Sequence, residues 1–235
     1  MENELKHENI LSNINTTIDV KRSEYMFNGH KVPRVTEILS FIDMGGLLGW
    51  ANYIGLKHQK YSDVMAEASH IGTVTHSNIE NYLQNKPIIA DNIPYKAFLL
   101  WWDGLTKNNK VEIIGQEEQL SCEYFGGTYD MLITINGKYY LMDFKTSNHV
   151  GYKYFMQLAA YRYMIYKNKG ISLNGCIVLQ LNKNDISFQE YVLNFENEDE
   201  YNFIELCTQA FFSLVFTYYT TTKTQIEFEN IFGKK

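Results

Sequence analysis

The sequence predicts an α/β fold in which a mixed central β-sheet is flanked by helices. Three observations carry this. Two β-branched and aromatic runs, Thr128–Ile135 and Lys138–Thr146, meet at Asn136-Gly137, the dipeptide best suited to a two-residue type I′ hairpin. A helical stretch over 151–169 separates the second run from a short, wholly apolar one, Gly175–Leu181. A helix between two such strands returns the chain parallel to its start, through a right-handed crossover. Long helical patterns precede and follow this block.

The 235 residues suffice for one sizeable domain, and 45% apolar content supplies a proper core. We read 1–24 as an N-terminal tail and 25–225 as a single domain. Within it, 33–107 form a helical part, 111–194 a sheet-bearing core and 199–220 a C-terminal helix. Tyr25–Val32 reads as a small hairpin around Asn28-Gly29. Pro33-Arg34-Val35-Thr36 leads into a helix over Glu37–Phe41 with Thr36 as N-cap. Leu47–Lys57 is a second helix. Tyr61–Gln84 is a long one with a potential break at Gly72, followed by a loop over Pro87–Pro94. Tyr95–Lys107 carries an apolar stripe of Phe98, Trp101, Trp102 and Leu105. Val111–Gly115 is a strand. Ile186–Leu193 reads as an edge strand, Asp199–Thr220 as a covering helix, and the last fifteen residues as a polar tail or short helix.

Cys122, Cys176 and Cys207 lie far apart without C-x-x-C spacing. That pattern excludes zinc and iron–sulfur sites of the usual spacing and suits a reducing, cytoplasmic setting. No apolar run is long enough to span a membrane. The net charge of −6 argues against a general nucleic-acid binder, so any polyanion must be gripped locally. No G-x-x-x-x-G-K-[ST] phosphate loop is present.

Chemistry concentrates in Gly126–Ser147. Asp130 stands six residues before Asn136, and Asp143 six after Gly137. A simple hairpin therefore sets the two carboxylates side by side. Alternate strand residues share a face, so Lys145 joins Asp143 while Phe144 points away. Two adjacent carboxylates repel unless one takes up a proton or a cation sits between them. Oxygen ligands of this kind suit Mg²⁺ or Mn²⁺. The plain alternative is a hairpin with solvated acids and a salt-bridging lysine.

These residues, Gly127-Thr-Tyr-Asp130 and Asp143-Phe-Lys145-Thr-Ser, resemble the core motif of the PD-(D/E)XK nuclease superfamily, most closely its RecB-like and phage-exonuclease branch. The likeness extends over about 32–181. It takes in Pro33-Arg-Val-Thr36, Gly72-Thr-Val-Thr-His76 and Gln157-Leu-Ala-Ala-Tyr161. It implies an αβββαβ, restriction-endonuclease-like core and a divalent-metal-dependent DNA exonuclease of phage or bacterial recombination, repair or replication. It further implies a metal held by Asp130, Asp143, the Phe144 carbonyl and His76. Lys145 would orient the attacking water, with Gln157 and Tyr161 beside the phosphate. Glu80, one turn after His76, and Glu118, ahead of the first motif strand, are second-shell candidates. Thr146, Ser147, Lys153 and Trp50 are candidate DNA contacts, although Trp50 reads first as a packing residue. A single-strand annealing or other recombination protein is the partner typical of the family, and oligomers occur in it. Endonuclease activity and non-cleaving DNA-end binding remain the alternatives.

Overall fold

The computed structural model describes residues 24–42 and 46–233. The tail read over 1–24 lies, apart from Glu24, outside them. In chain order the elements are β1 (Tyr25–Phe27), β2 (His30–Val32), α1 (Val35–Leu39), α2 (Gly46–Leu56), α3 (Tyr61–Leu83), α4 (Ile93–Asn108), β3 (Val111–Ser121), β4 (Gly126–Ile135) and β5 (Lys138–Lys145). They continue with α5 (Tyr152–Lys169), β6 (Gly175–Leu181), β7 (Phe188–Asn194) and α6 (Glu198–Phe232). Strands β3 to β7 form one five-stranded sheet in sequence order. Its pairs are antiparallel except β5 with β6, which run parallel across α5. The sheet is therefore mixed and flanked by helices, as the sequence predicts.

The Asn136-Gly137 turn has φ of 52° and 83° at its two positions, the left-handed pair that a type I′ hairpin requires. It fixes the register Ile135↔Lys138 through Met131↔Met142. Alternation along β4 and β5 then divides the core in two. Leu132, Leu141, Cys176 and Val178 pack with α1, α5 and α6 on one face. Met131, Ile133, Met142 and Phe144 pack with Ile79 of α3 and Phe98 and Trp101 of α4 on the other. The result is a three-layer sandwich.

Several boundaries differ from expectation for identifiable reasons. α1 starts at Val35 with Arg34 as N-cap, not Thr36, because the Glu37 carboxylate reaches back to the Arg34 N–H at 3.5 Å. α3 runs through Gly72 unbroken. Pro94 sits inside the first turn of α4, where its missing N–H costs nothing, behind an Asn92 cap that accepts the Tyr95 N–H at 3.0 Å. β3 continues to Ser121 past an irregularity between Ile113 and Gly115. α6 continues to Phe232, well beyond Thr220.

Gly127 shows why the first motif opens on glycine. A Cβ there would lie 2.5 Å from Cε1 of Tyr161, a ring buried by α5. Gly127→Ala should therefore destabilise the fold by ~1–3 kcal/mol, the usual cost of overpacking. Chemical denaturation measures this, and a midpoint equal to the unaltered protein's would mean that the ring has room to move.

Candidate metal centre

The site forms beside the end of β5, across the middle of β4 and β3, between α3 and α5. The register that closes at Met131↔Met142 sets Asp130 opposite Asp143 when continued by one residue. On the other side, Gln116↔Met131 and Glu118↔Tyr129 bracket Glu117 opposite Asp130. Three carboxylates thus stand in one row across three strands. Asp130 and Asp143 are buried, the latter 1% exposed.

Each acid has a definite partner. The Phe144 N–H donates to Asp130 Oδ2 at 2.7 Å. The Lys145 ammonium lies 2.7 Å from both Asp143 oxygens, with hydrogen-bond geometry only toward Oδ1. Asp143 Oδ2 is left buried without a directional donor. His76 of α3 comes from the opposite layer, its ring edge-on to Phe144. Its Nε2–H donates to the Phe144 carbonyl at 3.0 Å. Its Nδ1 then faces Glu117 Oε1 and Asp130 Oδ1, each at 3.6 Å.

The electrostatics follow from burial. Burial pushes Asp143 up to about 6, with Asp130 adding to the rise and Lys145 opposing it. Asp130 is raised by burial as well, against His76 and Lys145. Burial opposes charge on His76, but Asp130 and Glu117 together outweigh it and carry the imidazole up to about 9. Burial also opposes charge on Lys145, and the two aspartates overcome it. The protein thus holds three acids together beside one ammonium and one imidazole.

This donor set fits a divalent ion. His76, Glu117 and Asp130 each offer a ligand atom within 4.8 Å of the others. The orphaned Asp143 oxygen supplies a further acceptor beside them. One imidazole nitrogen among carboxylates matches Mn²⁺ or Mg²⁺ better than a soft metal.

Gln157 and Tyr161 lie on α5, with Gln157 Nε2 donating to the Tyr161 hydroxyl at 3.3 Å. Burial raises the Tyr161 phenol and the hydrogen bond from Gln157 lowers it, while the fields of Asp130 and Asp143 add to the rise. Tyr161 therefore stays protonated, as a donor. Tyr154, one turn ahead of Leu158, covers Lys145, whose ammonium is 4.9 Å from its ring centre. The Tyr154 hydroxyl donates to Ser147 at 3.1 Å. Thr146 approaches α3 at Gly72, where a Cβ would sit 3.5 Å from its hydroxyl. Glu80 lines the same cleft as His76 and Glu117, and accepts from Gln84 at 3.1 Å. Lys153 is half-buried at the start of α5, and burial lowers its amine. Trp50 of α2 meets Tyr61 edge-on and has no contact with the carboxylate row among the described residues.

Glu118 is not where the sequence pattern puts it. It pairs with Lys169 at 2.7 Å and accepts from the Tyr129 hydroxyl, on the other side of β3. Its neighbour Glu117 takes the place beside His76, and does so with φ of +47°. For a residue with a side chain that conformation costs roughly 1–2 kcal/mol. The signal for it lies in the turn. Ser121 pairs with Gly126, and the Cys122 N–H donates to the Phe125 carbonyl at 2.9 Å. Counting outward from that tight turn leads to Glu117 opposite Asp130. The turn residues Cys-Glu-Tyr-Phe lack the Gly, Pro or Asn that would announce it.

No family model and no curated protein matches the chain. Among solved structures, the chain overlaps the crystal structure of SSO0001 at a TM-score of 0.38 and 17% identity, over 90% of this chain and 83% of that one. It overlaps LHK-Exo in complex with dAMP at 0.33 and 13%, over 71% of this chain and 90% of that one. A second structure of that alkaline exonuclease, from Laribacter hongkongensis, gives 0.30 and 12%, over 66% and 84%. Likenesses this distant carry no functional argument, and the chemistry rests on the residues above.

Mn²⁺ should raise the melting temperature, since a ligand at a hundred times its dissociation constant adds ~2.7 kcal/mol. Glu117→Gln should reduce that rise, whereas Glu118→Gln should leave it intact and lower only the metal-free midpoint. The imidazole must lose its proton to accept a cation, so the Mn²⁺ effect should shrink as pH falls from 8 to 6. Thermal melts of the three proteins measure this. An equal Mn²⁺ response in both variants would remove Glu117 from the centre.

Proposed function

We propose that the protein is a divalent-metal-dependent nuclease of the PD-(D/E)XK type that hydrolyses phosphodiester bonds in DNA. The observation that carries the proposal is the buried convergence of Asp130, Asp143 and Lys145, with one Asp143 oxygen in ion-pair contact but without a directional hydrogen bond. A structural ion pair has no use for a second and third acid in the same row, because like charges ~4 Å apart repel by ~4 kcal/mol even at an effective dielectric of 20.

Asp130, Asp143, Glu117, His76 and the Phe144 carbonyl would hold Mg²⁺ or Mn²⁺. Once bound, the ion supplies Lewis-acid polarisation of a phosphate oxygen and an acidified water. The protein's own groups do the positioning. Lys145, anchored on Asp143, would hold the attacking water and offset charge building on the phosphate. Tyr161, protonated and fixed by Gln157, presents a hydroxyl donor toward the same side of the sheet. Phosphoryl chemistry depends chiefly on such placement and charge stabilisation.

Exonucleolytic action on DNA ends is the reading favoured by the sequence resemblance, with a recombination or single-strand annealing protein as the corresponding partner. Three free, buried thiols suit a reducing cytoplasm. Among the described residues no helix is long and apolar enough to cross a membrane.

Asp143→Ala or Lys145→Ala should lower cleavage by at least ~10²-fold, the scale of one lost stabilising group, while far-UV circular dichroism stays unchanged. The assay is a time course with Mg²⁺ or Mn²⁺ on matched linear and covalently closed circular DNA, labelled at either end. Loss of linear DNA alone makes the enzyme an exonuclease, and cutting of circles makes it an endonuclease. Full activity in either variant, or no cutting by the unaltered protein, would refute the proposal.

A further inference from the structure

A polar pocket of about 380 Å³ opens where the chain leaves β5. It begins at Thr146, the residue after Lys145, and is walled by Asn148, Gln180, Lys183, Phe188 and Gln189. Part of its frame is held rigidly. Gln180 Nε2 donates to the Ser147 carbonyl at 2.7 Å and the Tyr191 hydroxyl donates to Gln180 Oε1 at 3.3 Å. Asn182 ties the β6–β7 connection, donating to Ser187 Oγ at 3.2 Å and accepting from the Asn184 N–H at 3.0 Å. The side chains of Thr146, Asn148, Lys183 and Gln189, by contrast, have no protein partner among the described residues.

The lining has a further property. It holds one lysine and no carboxylate, in a protein of net charge −6. The cleft by α3 is its opposite, lined by Glu80, Glu117 and His76. The carboxylate row therefore has an acid-rich side toward α3 and a less acidic side toward the β6–β7 connection, where Asp185 accepts from the pocket-lining Ser187.

We propose that this polar pocket binds one unpaired nucleotide of the substrate strand, next to the bond that is cut. The inference rests on the nuclease reading and adds to it that the strand must be single at this point. The volume accommodates a nucleoside. Asn148, Gln189 and Thr146 offer donors and acceptors together, which match the Watson–Crick edge of a base only when that edge is free. Phe188, 38% exposed on the edge strand, gives a ring face on which a base can stack whatever its sequence. Lys183, without an acid partner, is placed for the adjoining phosphate. A base held in a duplex would leave these amides unsatisfied.

The test separates the pocket from the chemistry by measuring binding in a Lys145→Ala background with Mg²⁺. The probes are a fluorescent twelve-nucleotide thymidine strand and the same strand in a blunt duplex, followed by anisotropy. Lys183→Ala and Phe188→Ala should each weaken single-strand binding by about tenfold, within the range that stacking and phosphate contacts supply. Duplex binding and the Mn²⁺-induced rise in melting temperature should not change. Single-strand affinity equal to the parent's in both variants, or equal losses for strand and duplex, would overturn the proposal. So would a parent that binds neither probe. Cleavage by the unaltered protein is scored separately: cutting with unchanged variant affinities removes the pocket and leaves the nuclease reading standing.

Discussion

The row of carboxylates across β3, β4 and β5 is the constraint around which the rest of the molecule is arranged. Bringing Asp130 and Asp143 into a buried position costs free energy that no packing contact returns. The protein offsets it with one backbone N–H, from Phe144, and one ammonium, from Lys145. The ammonium lies 2.7 Å from both Asp143 oxygens but donates with hydrogen-bond geometry only to Oδ1. His76 and Glu117 then enter from α3 and β3, with His76 Nδ1 3.6 Å from Glu117 and from Asp130. Much of the surrounding sequence serves this arrangement. The Asn136-Gly137 turn sets the register, Gly127 admits Tyr161, and the Phe98–Phe144 contact holds the strand that carries Asp143 and Lys145.

Charge is distributed along the same line. Glu80, Glu117 and His76 line the cleft by α3, and Lys183 lines the pocket at the β6–β7 connection. An overall acidic protein can therefore still hold a phosphate chain, because the local field near Lys145 differs from the average over the surface. On the proposed nuclease reading, the same asymmetry would run a strand from the carboxylates toward the polar pocket.

The sheet was largely legible in the sequence because its decisive signals are local. A type I′ dipeptide between two alternating runs fixes a register, and a fixed register places Asp130 beside Asp143 without further information. The parallel β5–β6 pair follows from one helix between two strands. What stayed hidden depends on contacts distant in sequence or on backbone detours. Glu117 and not Glu118 faces His76 because the tight turn at 122–125 sets it opposite Asp130 and its backbone is left-handed, and periodicity shows neither. The capping of α1 by Glu37 and the continuation of α6 past Thr220 likewise escape a reading by residue preference. The pairing of Arg162 with Glu205 at 2.7 Å, which lets a charge sit in a largely apolar helix face, needs the tertiary fold to be seen.

The central claim is that this carboxylate row exists to hold a divalent ion. It is tested most directly by growing crystals with Mn²⁺ and mapping its anomalous scattering. A peak is expected in ligand contact with Asp130, Asp143 and the Phe144 carbonyl, with His76 Nδ1 and Glu117 turned toward it. Crystals of a protein that cleaves DNA in the same Mn²⁺ buffer, with no ion between Asp130 and Asp143, would contradict it.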